Sequence, residues 1–469
     1  MTAPRAAWLS RAAVVGLGIV LWFWPVPEGL STAAWHLFAI FAAAIAAIVA
    51  GALPILTASI LAGGLAVLSG VVPAAHAWSG FANGTILLII VAFLVARGVV
   101  TSGLGARIGH LAVSIFGKST LGLSYSIFLV DAVIAPAFPS NTARSGVLYP
   151  LAVSLAETAG AKPGRADRAR LGSFLMFSGM ASLTLSSALW LTAMAANPLG
   201  CEIARKYGLE IGFGTWLLAA SVPTLTAIVL LPLVLYRVIA PEVRATPDAP
   251  RLARAALTAL GPLSRHEWIV TVTFLSMVTL WASASLVELD ATAVALVGLA
   301  VFLMTGVLTP SDIAQEGDVL ATFVWFALLF ALSTELNELG FMAFLGQKLA
   351  TGMQGMRALY AGVLLVVAYV LLHYLFVSQT AHLLAIFGAF MDVGVRVGVP
   401  AMPLAFMLLF ATNFFSAITP QGSSANLLFA SSGHLSQRDL YRLGALTTGF
   451  NLGVYVIVGI PWLMLVANR

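Results

Sequence analysis

The sequence has few charged residues. Asp, Glu, Lys and Arg together make up 9% of its 469 residues, whereas hydrophobic residues make up 60%. A soluble chain of this length needs far more charge to cover its surface, which excludes a soluble globular fold. Long apolar segments recur from one end of the sequence to the other. They predict an all-α polytopic membrane protein, because a membrane β-barrel would show short segments of alternating hydrophobicity instead.

The sequence also has only one cysteine, Cys201, which excludes an intrachain disulfide and a thiolate cluster for a metal. It contains no HExxH motif, no Walker loop and no paired intramembrane aspartates. A membrane metalloprotease, an ATP-driven pump and an aspartyl protease are therefore unsupported. We expect no cofactor and no metal site. The net charge of +5 does not indicate a nucleic-acid partner, because the basic residues lie in loops between apolar segments, and the expected partner is the lipid bilayer.

About eleven apolar segments are predicted to cross the membrane. The first lacks a convincing small-residue cleavage site, so we interpret it as a span rather than as a signal peptide. Two segments are interrupted by Gly, Pro and Ser, which indicates unwound backbone. In chain order the segments are 12–26, 31–50, 53–72, 84–101, 172–208 (interrupted), 214–237, 267–287, 291–308, 320–338, 402–434 (interrupted) and 443–466.

Two further apolar segments, 120–157 and 360–397, do not read as simple spans, because each carries a polar patch near its midpoint. Each is nearly long enough for two helices, with arms of roughly 25 Å. We predict that each forms a re-entrant hairpin, which enters and leaves the membrane from the same side.

The basic residues predict the orientation of the chain. One loop contains Lys162, Arg165, Arg168 and Arg170, and arginines recur over 237–266. By the positive-inside rule both stretches are cytoplasmic. Counting spans from them places the N-terminus and the first hairpin on the cytoplasmic side, and the second hairpin and the C-terminus outside. We expect the membrane to be a bacterial inner membrane.

The sequence contains an internal repeat. Ser140 and Ser378 are 238 residues apart (378 − 140), and GLAVLSGVVP from residue 64 resembles GLAVFLMTGVLTP from residue 298 at nearly the same offset. Each half holds an odd number of spans and one hairpin, so the second is inverted relative to the first, as in many secondary transporters. The predicted organisation is an N-terminal helix over 1–30, a first repeat over 31–238, a cytoplasmic linker over 239–266 and a second repeat over 267–469.

The polar patches predict a binding site. Side chains of Ser, Thr and Asn satisfy unwound backbone at membrane depth and can replace the hydration shell of a carboxylate. Half-helix N-termini there favour an anion. The alternative is that these side chains only hydrogen-bond to the preceding turn or between helices. Because matching patches at equivalent repeat positions favour the site, we predict substrate binding by Ser140, Asn141, Thr142, Asn197, Ser378, Gln379, Thr380, Pro420, Ser423, Ser424 and Asn426.

A basic residue follows each patch. Arg144 lies four residues after Ser140, and His382 lies four residues after Ser378. A cation inside a membrane segment is costly and indicates function. We predict that Arg144 and His382 compensate the charge of a dianionic substrate. Two structural alternatives are open: Arg144 can pair with Asp131 in the opposite arm, and His382 can be a neutral hydrogen-bonded residue.

These residues resemble the divalent anion/sodium symporter family over nearly the whole chain. The family's mark is a pair of Ser-Asn-Thr motifs on opposed hairpins; Ser140-Asn141-Thr142 matches in full, whereas Ser378-Gln379-Thr380 departs by Gln for Asn. The family's Thr-Pro-Pro-Asn stretches correspond to 194–197 and 423–426, where only Asn, or Ser and Asn, are retained. The strings PSNTARSGVLYP and SQTAH are most similar to the exchanger branch, which includes plastid 2-oxoglutarate/malate translocators and bacterial dicarboxylate or citrate/succinate antiporters.

The resemblance implies a homodimer in which a transport domain moves against a scaffold domain as an elevator, with di- or tricarboxylate substrates held by the motif residues. In the cotransporter branch the same loops bind sodium. Because the prolines and the second motif Asn are lost here, we expect Arg144 and His382 to stand in for sodium. The predicted function is sodium-independent exchange of C4–C5 dicarboxylates such as 2-oxoglutarate, malate or succinate. The alternatives are a sodium-coupled symporter, an anion channel, and a membrane enzyme that uses His373 or His382 as a base.

Overall fold

The regular structure of the described residues is helical. The computed structural model describes residues 3–163, 169–283 and 289–467. Over those ranges no β-strand forms, and the extended contact is an isolated bridge between Ser119 and Ala245. The all-α class predicted from the sequence is confirmed. Arg165 and Arg168 of the basic loop, and the end of the predicted span 267–287, lie outside the described residues.

The α-helices are numbered here in chain order. They are α1 (Ala3–Phe23), α2 (Thr32–Val49), α3 (Ile55–Leu68), α4 (Ala74–Ala77), α5 (Gly84–Ser102), α6 (Leu104–Phe116), α7 (Thr120–Ile134), α8 (Asn141–Thr158), α9 (Ala169–Leu189), α10 (Ala196–Ala204), α11 (Phe213–Ile239), α12 (Asp248–Leu260), α13 (Arg265–Ala282), α14 (Ala291–Thr305), α15 (Pro310–Ala314), α16 (Gly317–Glu338), α17 (Phe341–Thr351), α18 (Ala358–Leu372), α19 (Gln379–Arg396), α20 (Ala401–Phe414), α21 (Ser424–Ala430), α22 (Gln437–Val454) and α23 (Ile460–Ala467).

The chain packs as two compact units, each assembled from segments distant in sequence. Unit I comprises Met1–Ile90, Leu199–Glu210 and Glu316–Leu408, and unit II comprises Val91–Pro198, Ile211–Gln315 and Leu409–Arg469. Unit I contains the hairpin segment 360–397, and unit II contains the hairpin segment 120–157. These units reflect packing rather than internal symmetry, so the domain boundaries proposed from the repeat stay a prediction.

The two hairpin segments have the same internal layout. In the first, α7 is followed by a 3₁₀ turn over Ala135–Ala137 and then by α8; in the second, α18 is followed by a 3₁₀ turn over His373–Leu375 and then by α19. Every boundary in the second segment falls 238 residues after its counterpart in the first (358 − 120 and 379 − 141). Within each segment the two helical arms pack against each other. The repeat seen in the polar residues thus extends to the backbone of both hairpins.

Both interrupted spans are broken where the polar residues lie. α9 ends at Leu189, a 3₁₀ turn follows over Leu191–Ala193, and α10 begins at Ala196. In the second, α20 ends at Phe414, a 3₁₀ turn covers Phe415–Ala417, and α21 begins only at Ser424.

Eight helical stretches in the described part of the chain are long and apolar enough to cross a membrane. Six coincide with predicted spans. The other two, Thr120–Ala137 and Ala358–Leu375, are the first arms of the predicted hairpins. Other predicted spans fold as shorter helices, including α3 with 14 residues and α14 with 15. The count of about eleven spans and the inverted orientation therefore stay predictions.

α9 forms the buried centre of unit II. Every residue from Phe174 to Leu189 is buried, and the helix packs against α7, α8 and α11. Its buried hydroxyls mostly donate to the preceding turn, as Thr184 does to Ala181 O at 2.7 Å. Two of them, Ser186 and Ser187, donate to the preceding turn and also contact Arg144 at the tip of the first hairpin.

Candidate functional site

The tip of the first hairpin is a capped helix start. Ser140 has extended backbone angles (φ −144°, ψ 126°), and its side chain accepts a hydrogen bond from Ala143 N at 3.3 Å. Serine is a strong N-cap because its oxygen satisfies one of the first free N–H groups of the helix. Pro136 and Pro139 cannot donate a backbone hydrogen bond, which prevents α7 from continuing through the tip. The sequence therefore places the N-terminus of α8 at the predicted patch.

Arg144 lies one turn into α8 and is completely buried. Its Nη1 lies 3.2 Å from Asp131 Oδ1, and neither side chain is exposed at all (0% each). Its guanidinium also donates to Ser186 Oγ at 2.8 Å and to Ser187 Oγ at 2.5 Å. Ser186 in turn donates to the other oxygen of Asp131. The guanidinium thus joins α7, α8 and α9, and the Asp131 pairing considered from the sequence is present.

Asn141 is held by the same network. Its side-chain oxygen accepts from Arg144 Nη2 and from Ser187 Oγ, the latter at 2.6 Å. Arg144 thereby provides the tip with a cationic donor, and Asp131 offsets the charge of that donor. Asp131, 3.2 Å from Arg144, already balances the charge of the guanidinium. The role predicted for Arg144 in compensating the charge of a substrate therefore stays a prediction.

The second interrupted span meets this tip. Thr142 Oγ1 and Ser424 Oγ lie 3.0 Å apart, and both residues are exposed. Ser423 is the N-cap of α21 and accepts from Ala425 N at 3.4 Å. Pro420 lies in the non-helical stretch just before and is half-buried. Hydroxyl groups from the tip of the first hairpin and from the second break therefore come together in unit II, and substrate binding by these residues stays a prediction.

Each break is braced by one asparagine. Asn197 Nδ2 donates to Ser187 O at 2.9 Å and to Trp190 O at 3.1 Å. Asn426 Nδ2 donates to Ser416 O at 2.7 Å and to Thr419 O at 3.1 Å.

In both breaks the acceptors lie ten and seven residues before the asparagine. Ser187 lies in the last turn of α9, Ser416 lies in the 3₁₀ turn after α20, and the other two acceptors lie just beyond α9 and that turn. The amides therefore bind carbonyl groups where the regular helix ends. Asn197 and Asn426 therefore brace the unwound backbone, and direct substrate binding by either residue stays a prediction.

The tip of the second hairpin, in unit I, repeats the cap of the first. Ser378 has φ −128° and ψ 124°, and its side chain accepts from Ala381 N at 3.3 Å. Gln379 and Thr380 follow it in α19 and are both buried. Substrate binding by Ser378, Gln379 and Thr380 stays a prediction.

The arms of the second hairpin are joined by contacts between aromatic rings. His382 is completely buried, with its ring centroid 4.4 Å from that of Tyr369 and 4.7 Å from that of Phe376. The His373 ring is 5.3 Å away. Tyr369 and His382 lie 238 residues after Asp131 and Arg144, so equivalent positions carry different chemistry. The charge-compensating role predicted for His382 stays a prediction.

Sequence reasoning missed three residues of the polar network in unit II. Ser186 and Ser187 bind Arg144, and Asn413 Nδ2 donates to Asn197 Oδ1 at 2.8 Å. The signal available was the presence of polar residues inside apolar helices, which does not by itself reveal their partners. Among the described residues no group of three or more His, Cys, Asp or Glu side chains could hold a metal ion.

Comparison with known proteins identifies the family. Residues 5–468 match the family described as the sodium:sulfate symporter transmembrane region. The chain is 39% identical over 450 residues to YflS of Bacillus subtilis, which is provisionally named a malate transporter; the match covers 96% of this chain and 94% of YflS.

Two further relatives have more explicit names. The chain is 36% identical over 454 residues to chloroplastic dicarboxylate transporter 2 of Spinacia oleracea, covering 96% of this chain and 80% of that one. It is 30% identical over 475 residues to the citrate/succinate antiporter of Escherichia coli, covering 97% of each.

The fold is shared with a solved transporter structure. The YdaH transporter of Alcanivorax borkumensis superimposes with a TM-score of 0.59 at 17% identity, over 83% of this chain and 87% of YdaH. That identity supports the fold alone. The family match and the relatives confirm the resemblance predicted from the Ser-Asn-Thr patches, and the chain belongs to the sodium:sulfate symporter transmembrane family of integral membrane transporters.

Proposed function

We propose that the chain exchanges C4–C5 dicarboxylates such as malate, succinate or 2-oxoglutarate across the membrane without sodium. The relatives support the substrate class, since the spinach protein is named a dicarboxylate transporter and the Escherichia coli protein an antiporter of citrate and succinate. Membership in a transporter family also favours transport over catalysis, so the enzyme alternative based on His373 or His382 is not retained.

The observation that carries sodium independence is the environment of Asn141. Its side-chain oxygen accepts hydrogen bonds from the Arg144 guanidinium and from Ser187. A sodium ion is coordinated by oxygen atoms, and one of the three side-chain oxygens of the first motif, that of Asn141, already accepts from a cationic donor of the protein. The guanidinium is permanently charged, so it holds this place at any physiological pH and sodium concentration.

The carboxylate groups of the substrate would meet helix-start and hydroxyl groups. The N-terminus of α8, an 18-residue helix, carries the positive end of the helix dipole. The hydroxyls of Thr142 and Ser424 are exposed beside it and are 3.0 Å apart. We propose that these groups bind one carboxylate, and that Ser378, Gln379 and Thr380 contribute through the equivalent cap in the second hairpin.

Obligate exchange requires that the empty carrier crosses the membrane slowly. With no substrate bound, the helix start and hydroxyls of the tip would have to pass an apolar barrier without hydrogen-bond partners, which is costly. We propose elevator-type alternating access in a homodimer, in a bacterial inner membrane with the N-terminus cytoplasmic. The sodium-coupled alternative has the family description in its favour.

Proteoliposomes test the proposal. Uptake of labelled succinate should require unlabelled dicarboxylate inside the vesicles and should be the same when sodium is replaced by potassium or choline. Uptake driven into empty vesicles by a sodium gradient would establish the symporter instead. A sustained anion current without any internal dicarboxylate would establish a channel.

A further inference from the structure

The linker between α11 and α13 is folded and presents a defined surface in unit II. α12 lies in this linker and packs against α6 through Ala249, Pro250 and Ala253, which are buried. Its other side is exposed and includes Arg251, Leu252 and Arg254. We call a set of exposed residues at the end of α6, just after it, just before α12 and in α12 the linker surface; it consists of Ile115, Phe116, Lys118, Arg244, Arg251, Leu252, Arg254 and Leu260.

The linker surface is basic, and its acidic neighbours are already engaged. Residues 237–266 contain five arginines but only two acidic residues, Glu242 and Asp248. Glu242 binds Arg170 at 3.1 Å, and Asp248 binds Arg251 at 3.2 Å. In the described ranges no ion pair forms at Lys118, Arg244 or Arg254. The Arg254 guanidinium makes a long contact of 3.4 Å to Ser114 O. Three cations are therefore available to an anionic partner.

Large apolar side chains are exposed among these cations. Ile115 is 57% exposed, Phe116 45%, Leu252 44% and Leu260 47%. Basic residues interleaved with exposed leucine and phenylalanine on amphipathic helices are typical of surfaces that lie at a membrane interface. A free inorganic anion would gain nothing from this apolar area, whereas a lipid leaflet provides both phosphates and an acyl boundary.

We propose that the linker surface docks on the anionic lipid headgroups of the cytoplasmic leaflet. Lys118, Arg244 and Arg254 take the phosphates, since a guanidinium matches phosphate geometry in two parallel hydrogen bonds. The exposed side chains of α6 and α12 enter the acyl boundary. The leaflet follows from the positive-inside rule applied to this linker.

The docked lipid would act on the first hairpin, because the linker is hydrogen-bonded to its base. Thr120 N donates to Arg244 O at 3.1 Å, and Thr246 N donates to Lys118 O at 3.0 Å. The Thr120 hydroxyl also donates to Val243 O at 2.6 Å. Thr120 is the first residue of α7, so lipid that holds Lys118 and Arg244 also holds the start of the hairpin that carries Ser140.

Binding is tested first, without any transport substrate. Purified protein in nanodiscs of neutral phosphatidylcholine is titrated with fluorescent phosphatidylglycerol, and the triple variant K118Q/R244Q/R254Q is compared with wild type. A basic residue near an anionic surface contributes about 1 kcal/mol, so affinity should fall about fivefold for each substitution. The control K348Q/R357Q removes two exposed charges that the predicted topology places outside the cell, away from the linker surface, and should bind as wild type.

Equal affinity for phosphatidylglycerol in wild type and in a folded triple variant would overturn the proposal. Displacement of the lipid by inorganic phosphate alone would also overturn it, because that result would indicate a site for free anions. Size-exclusion chromatography and thermal unfolding show whether the triple variant is folded; if it is not, the single variants R244Q and R254Q replace it. Exchange in vesicles should rise with phosphatidylglycerol content in wild type and in the control, but not in the triple variant. Because binding is measured without dicarboxylate, its outcome does not depend on the proposed function.

Discussion

The Arg144–Asp131 pair shows how a charged residue is tolerated at the hairpin tip. A buried ion pair contributes little net stability compared with apolar residues, but removal of one partner leaves an uncompensated charge. Both side chains are fully buried here, and hydroxyls of α9 bind both of them: Ser186 accepts from Arg144 and donates to Asp131, and Ser187 accepts from Arg144. We therefore expect the pair to fix the position of the hairpin tip rather than to make the protein more stable than apolar residues at the same positions would.

Removal of one partner should destabilise the protein strongly. We expect Arg144→Gln and Asp131→Asn each to lower the free energy of unfolding by about 3–5 kcal/mol, and the double variant to recover much of that loss. Thermal unfolding in detergent measures this. The matched control is Asp392 with Arg396, a pair in the second hairpin whose side chains are 18% and 40% exposed. Its single variants should cost at most about 1 kcal/mol.

The double variant also separates folding from transport. If folded Asp131→Asn/Arg144→Gln protein loses exchange, the guanidinium on Asn141 is needed for function, as proposed. Exchange at the wild-type rate in that variant would show that Arg144 acts only through the fold. A single Arg144→Gln variant as stable as wild type would contradict the destabilisation expected from the buried pair.

Glu242, in the linker, should make stability depend on pH. Its burial raises its pKa, but hydrogen bonds from its own backbone and from Arg170 and Leu171 outweigh this, so the pKa of Glu242 is lowered. A carboxylate with a lowered folded-state pKa contributes stability above its unfolded pKa of about 4.3 and loses it as the pH falls through the folded value.

We expect Glu242→Gln to cost about 1 kcal/mol at neutral pH, comparable to the loss of a helix cap, because Glu242 accepts from the first N–H groups of α9. The difference from wild type should shrink as the pH falls below about 4. Denaturant unfolding at several pH values measures it, and a constant difference at all pH values would exclude this role for the Glu242 charge.

At the scale of elements, the two breaks are one motif used twice. The asparagine of each break satisfies carbonyls ten and seven residues earlier. Asn197→Asp and Asn426→Asp each replace the donor nitrogen by an oxygen, which would face two carbonyl oxygens. We expect each variant to lose about 1–3 kcal/mol of stability and to exchange dicarboxylate at least about tenfold more slowly.

Counterflow in proteoliposomes measures the exchange rates, and Asn337→Asp at the end of α16 is the control for the same chemical change outside the breaks. Because the two motifs match, the variants should be impaired to a similar degree. Normal exchange in Asn197→Asp or Asn426→Asp would show that the amide donors are dispensable.

The hairpins could be predicted from the sequence because their signals are local. Ser140 and Ser378 are strong caps, and an apolar run with a polar centre is recognisable without its partners. The network around Arg144 could be predicted only as far as Asp131, because Ser186 and Ser187 come from a helix more than forty residues away. The hydrogen bonds from Asn197 and Asn426 to carbonyls ten and seven residues earlier could likewise not be predicted, because they depend on the three-dimensional path of the backbone through each break.

At the scale of the whole molecule, unit boundaries could not be derived from one sequence. Residues 199–210 join unit I through long-range contacts, such as the bond from Tyr207 Oη to Gly388 O at 2.8 Å. The sequence around Tyr207 contains no signal that its hydroxyl binds Gly388, 181 residues later. α6 and α12 were missed for a different reason: they are amphipathic and short, so they lack the continuous hydropathy that identifies a span.

The orientation of the chain in the membrane can be tested by cysteine labelling, because the sequence has only one cysteine. Cys201 is buried, so an impermeant maleimide should leave the wild type unmodified. Pro247 and Gln354 are both exposed and lie in the linker and between α17 and α18. The predicted topology places Pro247 inside the cell and Gln354 outside.

Gln354→Cys should therefore react with the maleimide in intact cells, whereas Pro247→Cys should react only after the membrane is permeabilised. As a control for access, both cysteines should react fully in permeabilised membranes. Matching hairpins in oppositely oriented halves require that their bases lie on opposite sides, so the linker and the loop before α18 must differ in sidedness. Reaction of both cysteines from the same side would rule out the inverted repeat. The hairpins would then be parallel copies, and alternating access between them would need another mechanism.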